Sequence, residues 1–285
     1  MKVAVTGAGG FIGRHVVAQL ERHGNPLTLV LRPGSKASDT QSRHQWVQMD
    51  IANPPPDSYD RMGEPEALIH LAWGGLPNYA SPHHLEQELP AQRSFLEGLL
   101  AAGLGSLTVT GTCLEYGMQS GALREDMPTA PVTAYGQAKD ELRMRLEQLR
   151  RDRAFNLTWA RLFYLHGEGQ APGSLLPLLE AAIARGDAAF DMSGGEQQRD
   201  YLPVEEAAHY LVELALNGMD NGVVNVCSGR PISVRELAES LVAKRGSPIR
   251  LNLGRVPYPD YEPMVFWGDR SKLDRCLDST HEAIR

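Results

Sequence analysis

Cysteine is scarce in this sequence. The three cysteines, Cys113, Cys227 and Cys276, lie far apart, are odd in number and form no C-x-x-C pair. Such usage is typical of a reducing compartment and argues against both disulfide bonds and a structural zinc site. We therefore predict a cytoplasmic protein without a bound metal.

Long apolar runs and an excess of positive charge are also absent. No run approaches the roughly 20 apolar residues that a membrane-spanning helix needs, and the N-terminus lacks the charged and apolar regions of a secretion signal. With 28 basic and 35 acidic residues, the formal net charge is −7 and the pI is about 5.7. Because the protein has no excess of positive charge that would attract nucleic acid or an anionic membrane, we expect neither as a partner.

The N-terminal stretch KVAVTGAGGFIG predicts a dinucleotide-binding turn. Lys2–Thr6 is a β-branched run typical of a buried parallel strand, and helical character follows from Arg14. The spacing G-x-x-G-x-x-G between them allows a tight turn, a close approach to a pyrophosphate and close helix–strand packing. Free N–H groups at the helix N-terminus favour that negative charge. The residues assigned to this turn are Gly7, Gly10, Phe11, Ile12 and, for the packing, Gly13; a tight turn without a ligand is the alternative.

The residues after the second predicted strand, Leu27–Leu31, favour NADP over NAD. NAD-binding units of this kind carry an acidic residue roughly 20 positions beyond the glycines, on the adenosine ribose hydroxyls. The segment Leu31–Lys36 reads LRPGSK, which has no carboxylate and offers Arg32 and Lys36 to a 2′-phosphate. We predict NADP as the cofactor, with NAD as the second choice; a solvated basic loop is the alternative.

Two further strands supply the other predicted cofactor contacts. Trp46–Met49 is the third strand, and a carboxylate at its carboxyl end can accept a hydrogen bond from an adenine amino group. Ala67–Leu71 is the fourth strand, and the small residues after it let a cofactor lie against the backbone. His70 is interpreted as a packed strand residue rather than a catalyst. The assigned contacts are Asp50, Ile51, Leu71, Ala72 and Trp73.

Strands and helices alternate through the first part of the chain, which predicts a Rossmann-like, doubly wound parallel α/β sheet. Leu107–Thr110 and Leu157–Leu162 are the fifth and sixth strands, and the pattern loosens after them. We predict that residues 1–164, completed by about 199–230, form the dinucleotide-binding domain. Residues 165–198 and 231–285 are then a smaller C-terminal substrate lobe.

Thr112, Tyr135 and Lys139 form a coherent catalytic set. Tyr135 and Lys139 are four residues apart, hence on one face of a predicted helix. A tyrosine normally titrates near about pH 10, and a neighbouring ammonium stabilises the phenolate and lowers that pKa. Thr112 can hydrogen-bond the reacting oxygen. The set can exchange a proton with an alcohol or carbonyl oxygen while a nicotinamide exchanges a hydride with its carbon.

Six motifs follow one another in the order found in one enzyme family. They are TGAGGFIG at Thr6–Gly13, HLAW at His70–Trp73, GTCLEYG at Gly111–Gly117, YGQAK at Tyr135–Lys139, RLFYLHGEGQ at Arg161–Gln170 and RDYLPVEEAA at Arg199–Ala208. On these motifs the chain resembles extended short-chain dehydrogenases/reductases of the nucleotide-sugar epimerase, dehydratase and reductase type. The resemblance implies a tightly held dinucleotide, a nucleotide-sugar substrate in the C-terminal lobe and a homodimer formed through the helix bearing Tyr135. It also implies catalytic roles for Thr112, Tyr135 and Lys139, and cofactor contacts from Tyr135 and Lys139. The substrate contacts that it implies are Thr112, Tyr135, Tyr164, Ser174 and Arg199.

Three departures from that family concern the substrate. The asparagine usual before the fifth strand is not evident, although Gln92 lies in that stretch, and a second usual asparagine is replaced in Tyr164–Glu168. The arginine that many members place ahead of the final W-x-D segment is missing before Trp267–Asp269. Arg199 and Arg255 remain as candidates for binding a diphosphate, because their charge and fork geometry suit it.

The residues directly after Thr112 bear on the reaction. Family members that eliminate water across C4–C6 of the sugar resemble one another in having Asp-Glu there, and this chain has Cys113-Leu114. The resemblance therefore leaves 4-keto reduction, 4-epimerisation and a combined epimerase–reductase. Arg32 favours an NADPH-dependent reductase, and the segment Tyr258–Lys272 is similar to reductases of dTDP-4-dehydro-6-deoxyhexoses. We predict reduction of a 4-keto-6-deoxyhexose nucleotide at C4.

The roles of Cys113 and Glu115 have two interpretations each, and one other class of function is an alternative. Cys113 is either a small buried apolar residue or, as a thiolate, a proton shuttle in a combined epimerase–reductase. Glu115 is expected to be a solvated loop residue, with a supporting contact to the site as the alternative. A regulator that binds NADP without catalysis would keep the glycine turn and lose the tyrosine or the lysine, and this chain keeps both.

Overall fold

The computed structural model describes residues 1–35 and 44–283. In chain order, the described strands are β1 Val3–Thr6, β2 Leu27–Leu31, β3 Gln45–Gln48, β4 Ala67–His70, β5 Ser106–Thr112, β6 Gly121–Leu123, β7 Asn156–Leu162, β8 Tyr164–His166, β9 Ala189–Asp191, β10 Gln198–Pro203, β11 Gly222–Val226, β12 Pro231–Ser233, β13 Arg250–Asn252 and β14 Phe266–Gly268. The helices are α1 Phe11–His23, α2 Ser58–Arg61, α3 Leu89–Ala102, α4 Ala134–Asp152, α5 Leu175–Arg185, α6 Val204–Leu216, α7 Val234–Arg245 and α8 Ser271–Ala283. None of these helices has both the length and the apolar composition that crossing a bilayer requires.

Seven of the described strands form one parallel sheet in the order β11-β7-β5-β4-β1-β2-β3. The strand order reverses between β1 and β4, because the chain builds outward from β1 on one side and then crosses to the other. In sheets of this type, ligands bind in the crevice outside the carboxyl ends of the strands at that reversal. The Rossmann-like, doubly wound α/β sheet predicted from the alternation of elements is confirmed.

Apolar side chains cover both faces of this sheet, since successive residues along a strand point to opposite sides. In β1, Val3 and Val5 pack in the core that contains α1, α6 and α8, whereas Ala4 packs in the core of α3 and α4. All three side chains are fully buried. Because helices cover both faces, a ligand can reach the sheet only at the strand ends.

Some boundaries differ from those predicted. β5 runs to Thr112, so this residue ends a strand and is not part of the following loop. α3 begins at Leu89, because Pro90 suits the first turn of an α-helix and the preceding residues, His84–Glu88, form a π-helical turn. Other strand ends shift by one residue.

The C-terminal part of the chain is divided between small sheets and the main core. β8, β10 and β12 form a three-stranded sheet, β9 pairs with β13, and β6 pairs with β14. The sequence places α8 in the smaller lobe, but Leu273 and Leu277 pack in the core of α1 and α6, because they lie on one apolar face of α8. The bounds of the two domains stay a prediction.

Candidate active site

The glycine turn between β1 and α1 leaves little room for a side chain at Gly7 and none at Gly13. Gly7 has a left-handed backbone with φ 69°, and a Cβ there would lie 3.0 Å from the backbone nitrogen of Ala72. A Cβ at Gly13 would lie 2.1 Å from the carbonyl oxygen of Gly7. Gly7 is thus required by conformation and by contact with the loop after β4, and Gly13 by the packing of α1 on the turn.

The N-terminus of α1 fits the pyrophosphate of a dinucleotide. The residue before the helix, Gly10, is extended, and no side chain caps the first turn. Phe11 and Ile12, the first two helical residues, line the large cavity described below. Their end of the helix therefore offers backbone N–H donors and the positive end of the helix dipole to an anion. The residues present fit NAD(P), which when bound exchanges a hydride with a substrate.

A buried hydrogen-bond chain fixes the end of β4. His70 Nδ1 accepts from the Thr6 hydroxyl at 2.9 Å, and His70 Nε2 donates to Gln92 Oε1 at 2.6 Å. The Thr6 hydroxyl oxygen accepts from the N–H groups of Leu71 and Ala72 at 3.2 Å and 3.4 Å. Burial lowers the pKa of His70 to about 3, so the ring is neutral. The interpretation of His70 as a packed strand residue is confirmed, and Leu71 and Ala72 lie beside the glycine turn.

The residues predicted to hold the adenosine end follow β2 and β3. Arg32 is exposed directly after β2, and within residues 1–35 and 44–283 its guanidinium has no hydrogen-bond or ion-pair partner. Asp50 is exposed after β3, and one of its carboxylate oxygens accepts from the Ala52 N–H at 3.0 Å. Ile51 packs against the core of α3 and α4. Lys36, the second predicted cation, lies outside the described residues.

A cavity of about 620 Å³ opens at the carboxyl edge of the sheet. It brings together α1 and the two predicted catalytic hydroxyls, those of Thr112 at the end of β5 and Tyr135 in α4. Tyr164 and Ser174, both predicted substrate contacts, also line it. A second cavity of about 300 Å³ shares Tyr164 with the first and is lined by Arg199. The predicted substrate residues therefore lie along two adjacent cavities that share lining residues.

Lys139 is buried close to Tyr135. Its Nζ donates to the carbonyl oxygen of Thr110 at 2.8 Å, and lies 3.9 Å from the ring centre of Trp73 and 5.9 Å from that of Tyr135. Trp73, a predicted cofactor contact, is fixed in turn because its Nε1 donates to His84 Nδ1 at 3.1 Å. A carbonyl oxygen and an aromatic face thus hold the ammonium beside the tyrosine.

The pKa of Tyr135 differs from the expectation. Burial raises it, and nearby acidic groups, among them Glu115, act in the same direction. Burial also lowers the pKa of Lys139 to about 7, although Glu115 opposes that shift. The predicted lowered pKa of Tyr135 is therefore not found in the protein by itself, because burial of the phenol raises it. A lower pKa for Tyr135 requires further positive charge in the cavity.

Glu115 is fully buried, and the prediction of a solvated loop residue is wrong. Its carboxylate accepts from the Thr112 N–H at 2.9 Å, from Arg161 Nε at 2.6 Å and from Trp159 Nε1 at 3.0 Å. The Thr112 hydroxyl accepts from the Leu114 N–H, which completes a capping box. Glu115 thus supports the site by fixing Thr112, and the spacing T-x-x-E is the sequence signal that predicts this contact.

Cys113 lines the large cavity but has the surroundings of a core residue. It packs with Tyr116, Phe163 and Cys227 in a separate apolar cluster. Burial raises the pKa of its thiol, and the nearby carboxylate of Glu262 raises it further. Because a thiol with a raised pKa is protonated at neutral pH, it cannot serve as the base that a proton shuttle requires. The structure favours the interpretation of Cys113 as a small buried residue.

Arg199 lines the second cavity with its guanidinium already paired. Its Nε and Nη2 donate to Glu262 Oε1 at 3.2 Å and 2.8 Å, and Nη1 donates to two backbone carbonyls at 2.8 Å and 3.0 Å. Glu262 also accepts from the Tyr164 hydroxyl. The guanidinium of Arg199, which we predicted to bind a diphosphate, is therefore already paired with the carboxylate of Glu262. No sequence pattern predicts this pair. Arg255, the other candidate, is exposed and lines neither cavity.

Comparisons with known proteins identify the family. The model of the NAD dependent epimerase/dehydratase family matches residues 3–227. The chain is 28% identical over 270 residues to the dTDP-6-deoxy-L-talose 4-dehydrogenase (NAD(+)) of Aggregatibacter actinomycetemcomitans, covering 94% of this chain and 99% of that protein. It is 29% identical over 272 residues to the dTDP-6-deoxy-L-talose 4-dehydrogenase (NAD(P)(+)) of Kitasatospora kifunensis, covering 91% and 83%. Among solved structures, MoeE5 in complex with UDP-glucuronic acid and NAD matches with a TM-score of 0.80 at 25% identity, over 98% of this chain and 93% of that chain.

The matched range carries the parts of the site described above. It contains the glycine turn, the hydroxyls of Thr112 and Tyr135, the ammonium of Lys139 and the buried Glu115. The resemblance predicted from the six motifs is confirmed. The chain belongs to the NAD-dependent epimerase/dehydratase family, whose members are NAD(P)-dependent enzymes that modify nucleotide sugars.

Proposed function

We propose that the protein reduces a 4-keto-6-deoxyhexose nucleotide at C4 and uses NADPH in preference to NADH. The observation that carries this proposal is one cavity lined by the first residues of α1 and by Thr112 and Tyr135. A carbonyl group in that cavity can lie beside both hydroxyls and close to the turn that fits the dinucleotide. The cofactor supplies the hydride, and this chain supplies the proton.

Each residue of the catalytic set has one task in this proposal. Tyr135 donates the proton that the C4 oxygen takes up as the C4 carbon receives the hydride. Thr112 holds that oxygen by a hydrogen bond, and Glu115 fixes the backbone of Thr112. Lys139 stabilises the phenolate that forms on Tyr135, since its ammonium lies 5.9 Å from the centre of the tyrosine ring.

The surroundings of the two hydroxyls support a 6-deoxy sugar. Leu76, Pro77 and Phe163 line the same cavity, and their apolar side chains can contact the methyl group of such a sugar. Cys113 and Leu114 provide no acid–base pair for removing water across C4–C6. The two relatives described above are named 4-dehydrogenases of a dTDP-6-deoxyhexose, and reduction of a 4-ketone is the reverse of such a reaction.

Isotope labelling tests this reaction. With a dTDP-4-keto-6-deoxyhexose and NADPH deuterated at its transferable position, we expect deuterium at C4 of the product and one NADPH consumed per sugar. In a parallel reaction in D₂O with unlabelled NADPH, we expect no deuterium at C3 or C5, because the buried Cys113 thiol is protonated. NMR of the product reads all three carbons.

Two other results of the labelling experiment would overturn simple reduction. Solvent deuterium at C3 or C5 would indicate a combined epimerase–reductase, and its loss in Cys113→Ser would assign the shuttle to that thiol. Interconversion of 4-hydroxy sugars without net consumption of NADPH would indicate a 4-epimerase whose cofactor stays bound.

The preference for NADPH depends on Arg32 in this proposal. We expect Arg32→Ala to weaken NADPH binding by ~10- to 100-fold, which corresponds to the roughly 1.5–3 kcal/mol of one charge-assisted contact. NADH binding should not change, because NADH has no 2′-phosphate for Arg32 to pair with. The matched control is Arg22→Ala, which removes an exposed basic residue from the far end of α1. Fluorescence titration measures both affinities, and equal affinity of the wild type for the two cofactors would contradict the preference.

A further inference from the structure

The two adjacent cavities have little positive charge to offer an anionic substrate. Among the described residues that line them, Arg199 is the single cation, and Asp191 and Glu262 are carboxylates. Glu262 already pairs with Arg199 at 2.8 Å, and their side chains are only 7% and 2% exposed. A diphosphate that enters therefore meets a lining of net negative charge whose one cation is neutralised.

Glu262 belongs to a segment that side chains hold in place. The backbone of Pro257–Pro263, here called the strap, makes no hydrogen bond to another described backbone group, whereas the residues on either side do. Polar side-chain contacts fasten the strap: the Tyr258 hydroxyl donates to Glu196, and Glu262 pairs with Arg199 and accepts from the Tyr164 hydroxyl. Such a segment can move without breaking backbone hydrogen bonds, and the contacts that it must give up are those of its side chains.

Arg199 itself is not free to move away. Its Nη1 donates to two backbone carbonyls, and its guanidinium lies 4.5 Å from the ring centre of Phe266. When a second anion competes for this fixed guanidinium, the partner that can leave is Glu262 on its strap. A buried carboxylate that stayed beside a diphosphate would be strongly unfavourable, because the single guanidinium cannot compensate both anions.

We propose that Glu262 is an internal substitute for the substrate's diphosphate. Its carboxylate pairs with Arg199 until the diphosphate of a nucleotide sugar displaces it, and the strap moves with it. This inference rests on the proposed function only in taking a diphosphate as the anionic group of the substrate. It makes Glu262 a specificity-determining residue, because only a ligand whose anionic group outcompetes a carboxylate for Arg199 can occupy the second cavity.

Calorimetric titration with a nucleoside diphosphate tests this exchange. We first select the diphosphate among dTDP, UDP and GDP that binds the wild type most tightly. This diphosphate and its own nucleoside are then titrated separately into the wild type, Glu262→Gln and Glu196→Gln. We expect Glu262→Gln to bind the diphosphate at least ~10-fold more tightly, because the competing charge is gone while size and shape are kept. The nucleoside should bind both proteins equally.

Glu196→Gln is the matched control, since it weakens the contact of the strap through Tyr258 without freeing Arg199. An equal gain in this control, or no gain in Glu262→Gln, would overturn the proposal. Should Glu262→Gln fail to fold, the wild type gives a second measurement: the diphosphate, but not the nucleoside, should accelerate chymotrypsin cleavage after Tyr261 in the strap. Unchanged or slower cleavage would also overturn it. These measurements do not depend on catalysis, so they test the exchange at Arg199 even if reduction at C4 is not observed.

Discussion

Replacing Tyr135 by phenylalanine should lower turnover at least ~100-fold while the fold and the dinucleotide affinity stay intact. The substitution removes only the hydroxyl that donates the proton, and general acid catalysis contributes about 10²–10⁴-fold. No described residue hydrogen-bonds that hydroxyl, so its loss leaves no partner unsatisfied. The ring keeps its contacts with Trp73, Tyr79 and His84. Steady-state rates with a 4-keto sugar nucleotide, a dinucleotide titration and thermal unfolding measure the three quantities.

Tyr79→Phe is the matched control for this experiment. Tyr79 lines the same cavity, and its ring centre lies 5.6 Å from that of Tyr135. Burial raises the pKa of Tyr79 to about 12, and the proposed reaction gives its hydroxyl no proton to transfer. We expect a rate close to that of the wild type. A near-normal rate in Tyr135→Phe, or an equal loss in Tyr79→Phe, would show that the proton comes from another group.

Local patterns were sufficient to predict the sheet and the glycine turn. The contacts that require glycine at Gly13, and the left-handed turn at Gly7, lie within one strand–turn–helix unit, so the glycine spacing is visible in the sequence. The same holds for Tyr135 and Lys139, which share a face of α4 because they are four residues apart. Thr112 was placed correctly beside them because parallel strands end at the same edge of a sheet.

Contacts between residues that are far apart in the chain could not be predicted from the sequence. Glu115 is buried because Arg161 and Trp159, 46 and 44 residues further along, bring donors to its carboxylate. Arg199 meets Glu262 across 63 residues, and no periodicity or motif links the two. A charged residue enters a protein interior only where the fold supplies its partners, so its burial cannot be predicted from its own neighbours in the chain.

The error about the pKa of Tyr135 has the same origin. Helical spacing places Lys139 near the tyrosine, but it gives neither the burial of both groups nor the position of Glu115. Burial opposes the charged form of each group, so it raises the pKa of Tyr135 and lowers that of Lys139. The proximity was predictable, whereas the balance of charge and desolvation required the structure.

Glu115→Gln should lower the free energy of unfolding by roughly 3–5 kcal/mol, the usual cost of removing one partner from a buried ion pair. Arg161 is 1% exposed and would lose its counter-charge, and its Nη1 already has no hydrogen-bond partner among the described residues. A glutamine offers only one acceptor oxygen to the N–H donors of Thr112, Trp159 and Arg161, and its NH₂ group would face donors that need an acceptor. Urea unfolding measures the effect as a lower midpoint with an unchanged slope. Glu239→Gln is the matched control, because it breaks an exposed pair with Arg235 and should cost at most about 1 kcal/mol.

A double variant separates the cost of an uncompensated charge on Arg161 from the loss of the carboxylate that holds Thr112. Adding Arg161→Met to Glu115→Gln removes the uncompensated charge, so it should recover part of the lost stability, as replacement of whole buried ion pairs often does. It should not restore turnover, because the carboxylate that accepts the Thr112 N–H at 2.9 Å is still missing. If the double variant is no more stable than the single one, the charge of Arg161 is not the source of the cost. If Glu115→Gln is as stable as the Glu239→Gln control, Glu115 does not hold Thr112 through a compensated buried charge.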